Sequence, residues 1–217
     1  MTNDFRSGKK KAAARSKRGP NDDPGPAPSR AVLHEAALAY LARGSATAAT
    51  LGRVLERKLA TWARKAERSQ RDPEGIEGEL ATAREAITSI VARFREVGLI
   101  NDAAYAESRA RSLSRSGRSR RAIAAHLTAK GVAPETVREA LPEDARIELA
   151  AALAFARKRR IGPYAREVDE DRATRQAAKQ KALAAMARAG FAFSTCERAL
   201  RMDREEADER LLDRPRD

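Results

Sequence analysis

Two segments of the chain repeat one another, and this repeat limits the possible fold more than any other feature. The segment LTAKGVAPETVREAL at 127–141 matches MARAGFAFSTCERAL at 186–200, with Gly131 and Gly190 at the same position. A glycine readily adopts the left-handed conformation that ends a helix, so each segment predicts a helix, a glycine stop and a second helix. Such units bury their apolar faces only by stacking, so the repeat predicts a helical array.

A weaker copy of this unit precedes the two segments. Apolar spacing predicts a helix over 31–41, a second with a stripe over 51–62, and a third that ends at Gly98. No glycine stop separates the second and third helices. The charged stretch 63–75 is instead predicted to prolong the second helix and to turn at 72–73, where Asp and Pro suit an N-cap and a first helical position. The first unit is therefore predicted to be a stretched copy.

The predicted fold is all-α, an elongated and curved tandem array of three three-helix repeats that resemble helix-turn-helix pieces. A disordered basic tail is predicted at residues 1–30, because this segment is rich in Lys, Arg, Gly and Pro and has almost nothing to bury. It contains eight basic and three acidic residues and so supplies five of the thirteen net positive charges. The three repeats are predicted at 31–100, 101–142 and 143–213.

The composition excludes several classes of protein. The 217 residues contain no apolar run near the roughly 20 residues that cross a bilayer, and the basic N-terminus lacks the apolar stretch of a signal peptide. We therefore expect a cytoplasmic protein without membrane contact. The single cysteine, Cys196, is expected to be a small buried apolar residue. His34 and His126 are the two histidines, so no metal site and no cofactor is expected.

Catalysis is also not expected, because the motifs that support it are missing. The sequence has no glycine-rich phosphate loop, no HExxH motif, no nucleophile elbow and no Cys/His pair at a suitable spacing. Both histidines lie in predicted helices, where a half-buried packing role is the ordinary one. The sequence therefore predicts a binding protein and not an enzyme.

The strongest concentration of positive charge lies between residues 108 and 134, a stretch without Asp or Glu. Positive side chains in the first turn of a helix oppose the helix dipole, which suggests that those after Ser119 serve another purpose. A solvated arginine-rich surface is one interpretation, and contact with phosphates or an acidic protein is the other. The candidate binding residues are Arg109, Arg111, Arg115, Arg118, Arg120, Arg121 and Lys130.

A second basic cluster ends the first helix of the last unit, just before an Ile-Gly-Pro break at 161–163. Cations at the C-terminus of a helix complement its dipole, so the sequence supports a structural role and a binding role equally. The residues of this second cluster are Arg157, Lys158, Arg159 and Arg160.

The passage FREVGLINDAAYAESRAR at 94–111 resembles the signature of the RecX regulatory proteins, in which a Gly-Leu-hydrophobic-Asx-Asp turn leads into a helix with an aromatic residue and later arginines. ALAYLARGSAT at 37–47 and the basic helix within 116–132, which ends Lys-Gly-Val, add to the resemblance. It spans residues 31–200. The resemblance implies a three-repeat array, expected to be a monomer, that modulates the RecA recombinase, mostly by inhibiting it, in the groove of the RecA filament on single-stranded DNA.

Two alternative functions remain open on the sequence alone. The chain is basic enough for a stand-alone helix-turn-helix-type nucleic-acid-binding protein, although few aromatic residues are present to stack on bases. A basic scaffold in ribonucleoprotein assembly is the other alternative. A protein that regulates RecA could also contact DNA directly.

Overall fold

The computed structural model describes residues 24–166 and 171–213. These residues form ten α-helices and one short 3-10 helix at Gly162–Tyr164, and none of them forms a strand. The helices are α1 Arg30–Leu41, α2 Ala48–Arg68, α3 Pro73–Glu96, α4 Asp102–Arg115, α5 Arg120–Ala129, α6 Pro134–Ala140, α7 Ala145–Arg159, α8 Arg172–Arg188, α9 Phe193–Arg201 and α10 Arg204–Leu212.

The buried apolar side chains form three clusters that follow one another along the chain. The first lies within residues 33–100, the second within 106–141 and the third within 149–207. Each cluster joins helices that cannot bury their apolar faces alone. The predicted fold class, an all-α tandem array, is confirmed. The repeat boundaries at 100 and 142 stay a prediction, which is supported by each cluster lying inside one proposed repeat.

The first unit is stretched, as its sequence predicts. Helices α2 and α3 have 21 and 24 residues, whereas α5 and α6 have 10 and 7. Asp72 caps α3 by accepting a hydrogen bond of 2.9 Å from the Gly75 N–H, and Pro73 is the first helical residue. Pro suits this place because the first helical N–H has no partner within the helix.

The first unit has no glycine after its second helix, but its backbone forms the same corner. Gln70 follows α2 with φ 61°, in the left-handed region occupied by Gly131 at φ 82° and Gly190 at φ 92°. The Arg71 N–H donates to the Ala66 carbonyl at 3.2 Å, the same closing hydrogen bond as that from Val132 to Leu127. The corner therefore has one geometry in all three units, and Gln70 carries the backbone strain that glycine avoids.

Replacing Gln70 with glycine is expected to raise the free energy of unfolding by about 1 kcal/mol, because the left-handed conformation costs a non-glycine residue about that much. Urea unfolding followed by circular dichroism measures the change. Gln70→Ala is the matched control, since it shortens the side chain and keeps the strain. A glycine variant no more stable than the alanine variant would contradict the assignment.

The segment before α1 is fixed to the α2–α3 pair. The Trp62 indole N–H and the Arg71 guanidinium both donate to the Gly25 carbonyl, at 3.0 and 2.6 Å, and the Ala27 N–H donates to the Glu79 carboxylate at 2.6 Å. Arg71 also forms an ion pair with Glu79. The structured part of the chain thus begins before residue 31. Residues 1–23 of the predicted tail lie outside the described residues.

The units are joined by a hydrogen bond that occurs twice. The Thr47 hydroxyl, at the N-cap of α2, donates to the Lys130 carbonyl at 2.7 Å, and the Ser119 hydroxyl, at the N-cap of α5, donates to the Ala189 carbonyl at 2.6 Å. Both hydroxyl side chains are buried. Because each accepting carbonyl lies at the end of the second helix of the next unit, the two contacts are equivalent. We call them the first joint and the second joint.

A backbone-to-carboxylate hydrogen bond accompanies each joint. The Ala48 N–H donates to Asp102 and the Arg120 N–H donates to the Glu148 carboxylate, both at 2.9 Å. In each case the donor is the first residue of a second helix, and the acceptor lies on the first helix of the next unit. Negative charge at a helix N-terminus is favourable because it offsets the dipole and satisfies a free N–H.

The repeated glycines leave no room for a side chain at the joints. A Cβ on Gly131 would lie 2.3 Å from the Ala49 Cβ, and a Cβ on Gly190 would lie 2.7 Å from the Ser119 hydroxyl oxygen. Each glycine therefore serves two purposes, since it ends a helix and lets the preceding unit approach closely. This contact explains why the two repeated segments have a glycine at the same position.

Cys196 is fully buried in the third cluster, as its place in the repeat predicts. Burial raises the pKa of its thiol, which lies 3.8 Å from the Phe191 carbonyl oxygen. A buried thiol with a raised pKa is a poor nucleophile, so the residue acts in packing.

Candidate partner interface

Helix α4 divides the predicted arginine run between two surfaces. Ala106, Ala110 and Leu113 anchor one face of the helix in the second cluster. Arg109 lines a groove of about 410 Å³ beside the α1–α2 turn, whereas Arg111 lies in a cleft of about 600 Å³ beside α7. Residues two apart on a helix point in different directions, so this separation follows from helical geometry. The run is continuous in sequence but not in space.

Three of the predicted residues lie near enough to one histidine to lower its pKa. Arg109 from α4, Arg118 from the α4–α5 turn and Lys130 from the end of α5 all act on His126, and we call these three cations the basic cluster. Burial lowers the pKa of His126, and the three positive charges lower it further. Within 24–166 and 171–213, the buried Nε2 of His126 has no hydrogen-bond partner. The surroundings of this histidine are therefore strongly electropositive.

The lowered pKa of His126 predicts a loss of stability in mild acid. The unfolded chain takes up this proton near the ordinary value of 6.5, whereas the folded chain does so only at lower pH. The free energy of unfolding is therefore expected to fall as the pH drops below about 6.5. Urea unfolding of wild type and His126→Gln between pH 5 and pH 8 measures the effect. The difference between the two proteins cancels any contribution of His34, and a difference independent of pH would contradict the prediction.

The larger cleft has mixed charge. It lies between α4 and α7, with an apolar floor that includes Ile123, Leu141 and Leu149. Its charged lining contains Arg111, Arg115, Arg120, Arg146, Arg198 and Arg210 together with Glu107, Glu139, Asp144, Glu148 and Asp213. Arg111 is paired with Glu107 at 3.8 Å. The arginine run contains no carboxylate in sequence, but the fold brings carboxylates from other segments to the surface that carries Arg111.

The structure gives Arg120 several hydrogen-bond acceptors within the protein. Its guanidinium donates to the Leu141 carbonyl at 2.9 Å and pairs with Glu143 at 3.2 Å, while its backbone N–H bonds Glu148. These acceptors outweigh the unfavourable helix dipole that the sequence pattern emphasised. The conflict at this position therefore has a structural explanation, and Arg120 belongs to the second joint more than to an exposed surface.

The remaining predicted residues lie around the second joint and the end of α7. Arg121 lies against Gly190, and all four residues of the second basic cluster are exposed. The Arg159 guanidinium lies 5.6 Å from the Phe155 ring centroid. A Cβ on Gly117 would lie 2.7 Å from the Phe155 nitrogen. The α4–α5 turn therefore packs closely against the end of α7, near the ring that Arg159 contacts.

Several basic residues at these surfaces were missed by sequence reasoning. Arg53 donates to the Ala129 carbonyl at 3.1 Å and so reaches the end of α5 from the first unit. Arg146, Arg198 and Arg210 enter the large cleft from the third unit. Except for Arg146, they are separated from the arginine run by more than 50 residues, so no local sequence pattern reveals the proximity.

Neither a metal centre nor a membrane span is found in the part of the chain that the structure describes. No group of three His, Cys, Asp or Glu side chains there is placed to hold an ion. None of its helices is both long enough and apolar enough to cross a bilayer.

Comparison with known proteins identifies the family. Residues 101–141 match the model of the second three-helix domain of RecX. Over 171 residues the sequence is 40% identical to the regulatory protein RecX of Myxococcus xanthus strain DK1622, which covers 77% of this chain and 83% of that protein. The chain belongs to the RecX family. The matched domain contains α4, α5 and α6, and with them the whole basic cluster.

Other RecX proteins agree in sequence and in fold. The regulatory protein RecX of Agrobacterium fabrum strain C58 is 46% identical over 117 residues, 54% of this chain and 59% of that protein. The crystal structure of RecX from Lactobacillus salivarius has a TM-score of 0.56 at 18% identity, over 83% of this chain and 97% of that one. A further RecX crystal structure has a TM-score of 0.50 at 22% identity, over 77% and 70% of the two chains. At these identities the two structures show the fold alone.

Proposed function

We propose that this RecX-family protein binds the filament that RecA recombinase forms on single-stranded DNA and modulates it, mostly by inhibiting recombination and ATP hydrolysis. It acts by occupying surface and makes or breaks no covalent bond. The observation that carries the proposal is membership of a family of regulatory proteins together with a basic cluster inside the matched domain, of which Arg109 and Arg118 are exposed. A filament on DNA presents both carboxylates and phosphates, which are the groups that such a cluster binds.

The chemistry of the basic cluster suits this partner. Arg109 and Arg118 are exposed, and a guanidinium pairs with two oxygens of a carboxylate or phosphate at once. Lys130 adds a charge that tolerates several geometries. The other residues of the proposed interface are Arg111, Arg115, Arg121 and the second basic cluster at 157–160, with Arg120 holding the second joint in place. The array spreads these contacts over several units, so many modest interactions sum along a filament groove.

A titration of the purified protein into RecA, ATP and single-stranded DNA tests the proposal. DNA-dependent ATP hydrolysis is expected to fall as the protein is added, and strand exchange is expected to fall with it. Unchanged hydrolysis at a stoichiometric excess over RecA would overturn the proposal. If hydrolysis is unchanged and the protein binds DNA alone, with an affinity that falls steeply with salt, a stand-alone nucleic-acid-binding function replaces it.

A further inference from the structure

A polar groove lies between the first and second units. Its lining consists of two residues of the α1–α2 turn and four from one face of α4, and its volume is about 410 Å³. We call it the serine groove. The α4 residues recur at intervals of three and four, so they form one continuous stripe along the helix. The lining residues are Gly44, Ser45, Tyr105, Ser108, Arg109 and Ser112.

The groove presents hydrogen-bond donors and one positive charge. Ser45, Ser108, Ser112 and Tyr105 bring hydroxyl groups, Arg109 brings a guanidinium, and no carboxylate is part of the lining. Over the described residues, none of these side chains makes a hydrogen bond within the protein, so all are available to a ligand. A set of hydroxyls around one guanidinium, without a carboxylate, matches an oxyanion.

The acidic residues nearest along α4 are engaged elsewhere. Asp102 accepts the Ala48 N–H at the first joint, at 2.9 Å. Glu107 lines the large cleft on the other side of the helix, where it pairs with Arg111. The potential in the serine groove is therefore not cancelled by its own helix.

Further positive charge lies beside the groove. Arg109 is shared between the serine groove and the basic cluster, whose other members, Arg118 and Lys130, act on the same histidine, His126. A groove with polar walls next to several uncompensated cations concentrates anions, because the positive fields add. The arrangement favours a polyanion that lies across both features over a single small ion.

We propose that the serine groove binds a backbone phosphodiester of single-stranded DNA. Arg109 pairs with the phosphate, and the hydroxyls of Ser45, Ser108 and Ser112 donate hydrogen bonds to its oxygens. The strand then continues across Arg118 and Lys130. The inference rests on the proposed function, which places the array beside a DNA strand, and deepens it by naming the residues on the DNA side. A strand is favoured over a protein carboxylate because phosphates recur along it and so meet the groove and the cluster together.

The test uses the full chain and a fluorescent oligothymidylate, without RecA. Arg109→Ala is expected to weaken binding about 10-fold or more and to flatten the salt dependence of log Kobs by about 0.7, the contribution of one phosphate contact on a single strand. Arg57→Ala is the matched control, since it removes the same charge from an exposed position on α2, outside the proposed interface. It is expected to weaken binding by less than about 3-fold.

A second readout reports on the groove itself. The chain has two histidines, so NMR can follow the titration of His126 directly. Oligothymidylate bound beside Arg109 offsets the surrounding cations and is expected to raise the pKa of His126. Inorganic phosphate is the second probe and is expected to give a smaller rise.

Three results would overturn the proposal. These are equal losses of binding in Arg109→Ala and Arg57→Ala, a His126 pKa that oligothymidylate does not change, and a response to inorganic phosphate without binding of the oligonucleotide. RecA ATP hydrolysis is measured in parallel with the wild-type protein. If inhibition persists while the groove test fails, the proposed function stands without this contact; if inhibition is absent, the proposed function fails whatever the groove binds.

Discussion

Replacing Gly131 with alanine is expected to lower the free energy of unfolding by about 2–4 kcal/mol, the sum of a left-handed alanine and an overpacked contact. The backbone there has φ 82°, and the new methyl group would begin 2.3 Å from the Ala49 Cβ. Neither group is a flexible side-chain end, so relief requires α2 and α5 to move apart. That movement would also stretch the 2.7 Å hydrogen bond from Thr47 to Lys130. Urea unfolding measures the loss.

Two further variants separate the backbone effect from the contact. Gly98→Ala is the matched control, because Gly98 has φ 74° and no atom within 4 Å of an added Cβ. It is expected to lose only about 1–2 kcal/mol, the backbone part. Ala49→Gly combined with Gly131→Ala removes the clash and is expected to recover part of the stability. If Gly98→Ala costs as much as Gly131→Ala and Ala49→Gly gives no recovery, the close approach at the joint is not the cause.

Reversing the charge of the basic cluster is expected to abolish most of the effect on RecA. The variant Arg109→Glu, Arg118→Glu, Lys130→Glu replaces three attractive contacts with repulsive ones, so the concentration for half-inhibition of ATP hydrolysis should rise at least about 100-fold. The fold is expected to be retained, because Arg109 and Arg118 are exposed and only the backbone carbonyl of Lys130 takes part in the first joint. Circular dichroism verifies this.

The matched control has the same change of net charge in another place. Arg57, Arg64 and Arg95 are exposed on the helices of the first unit. Their reversal to glutamate is expected to raise the half-inhibition concentration by less than about 10-fold, through long-range attraction alone. Equal effects of the two triple variants would mean that total charge, and not the basic cluster, determines binding. Unchanged potency of the cluster variant would remove it from the interface.

The fold was largely predictable from local sequence patterns, because helix ends and apolar stripes are local features. The matched segments around Gly131 and Gly190 indicated the repeat, and the Asp-Pro pair at 72–73 indicated the start of α3. The corner at Gln70 was not predictable, since glutamine seldom adopts the left-handed conformation. It was recognised only from φ 61° and from the hydrogen bond between Arg71 and Ala66.

The candidate site was less predictable, because charges act through space. The sequence presents Arg109, Arg111 and Arg120 as members of one acid-free run. The fold sends Arg109 to the serine groove and Arg111 to the mixed cleft, and it supplies Arg120 with carboxylates from α7 and the α6–α7 turn. Helical spacing alone separates the first two. The pairing of Arg120 with Glu148 depends on how two units pack, which no local pattern encodes.

The equivalence of the two joints has a consequence for self-association. Two copies of the chain could form the same contact end to end only if one had a glycine after α2 and the other had a serine or threonine hydroxyl at the N-cap of α8. The chain has Gln70 at the first place, with a Cβ that the glycines lack, and Asp171 at the second, an exposed carboxylate that caps α8 and is costly to bury. Neither end of the repeating pattern therefore carries the pair of residues, a glycine and a neutral hydroxyl, that forms the joints inside the chain.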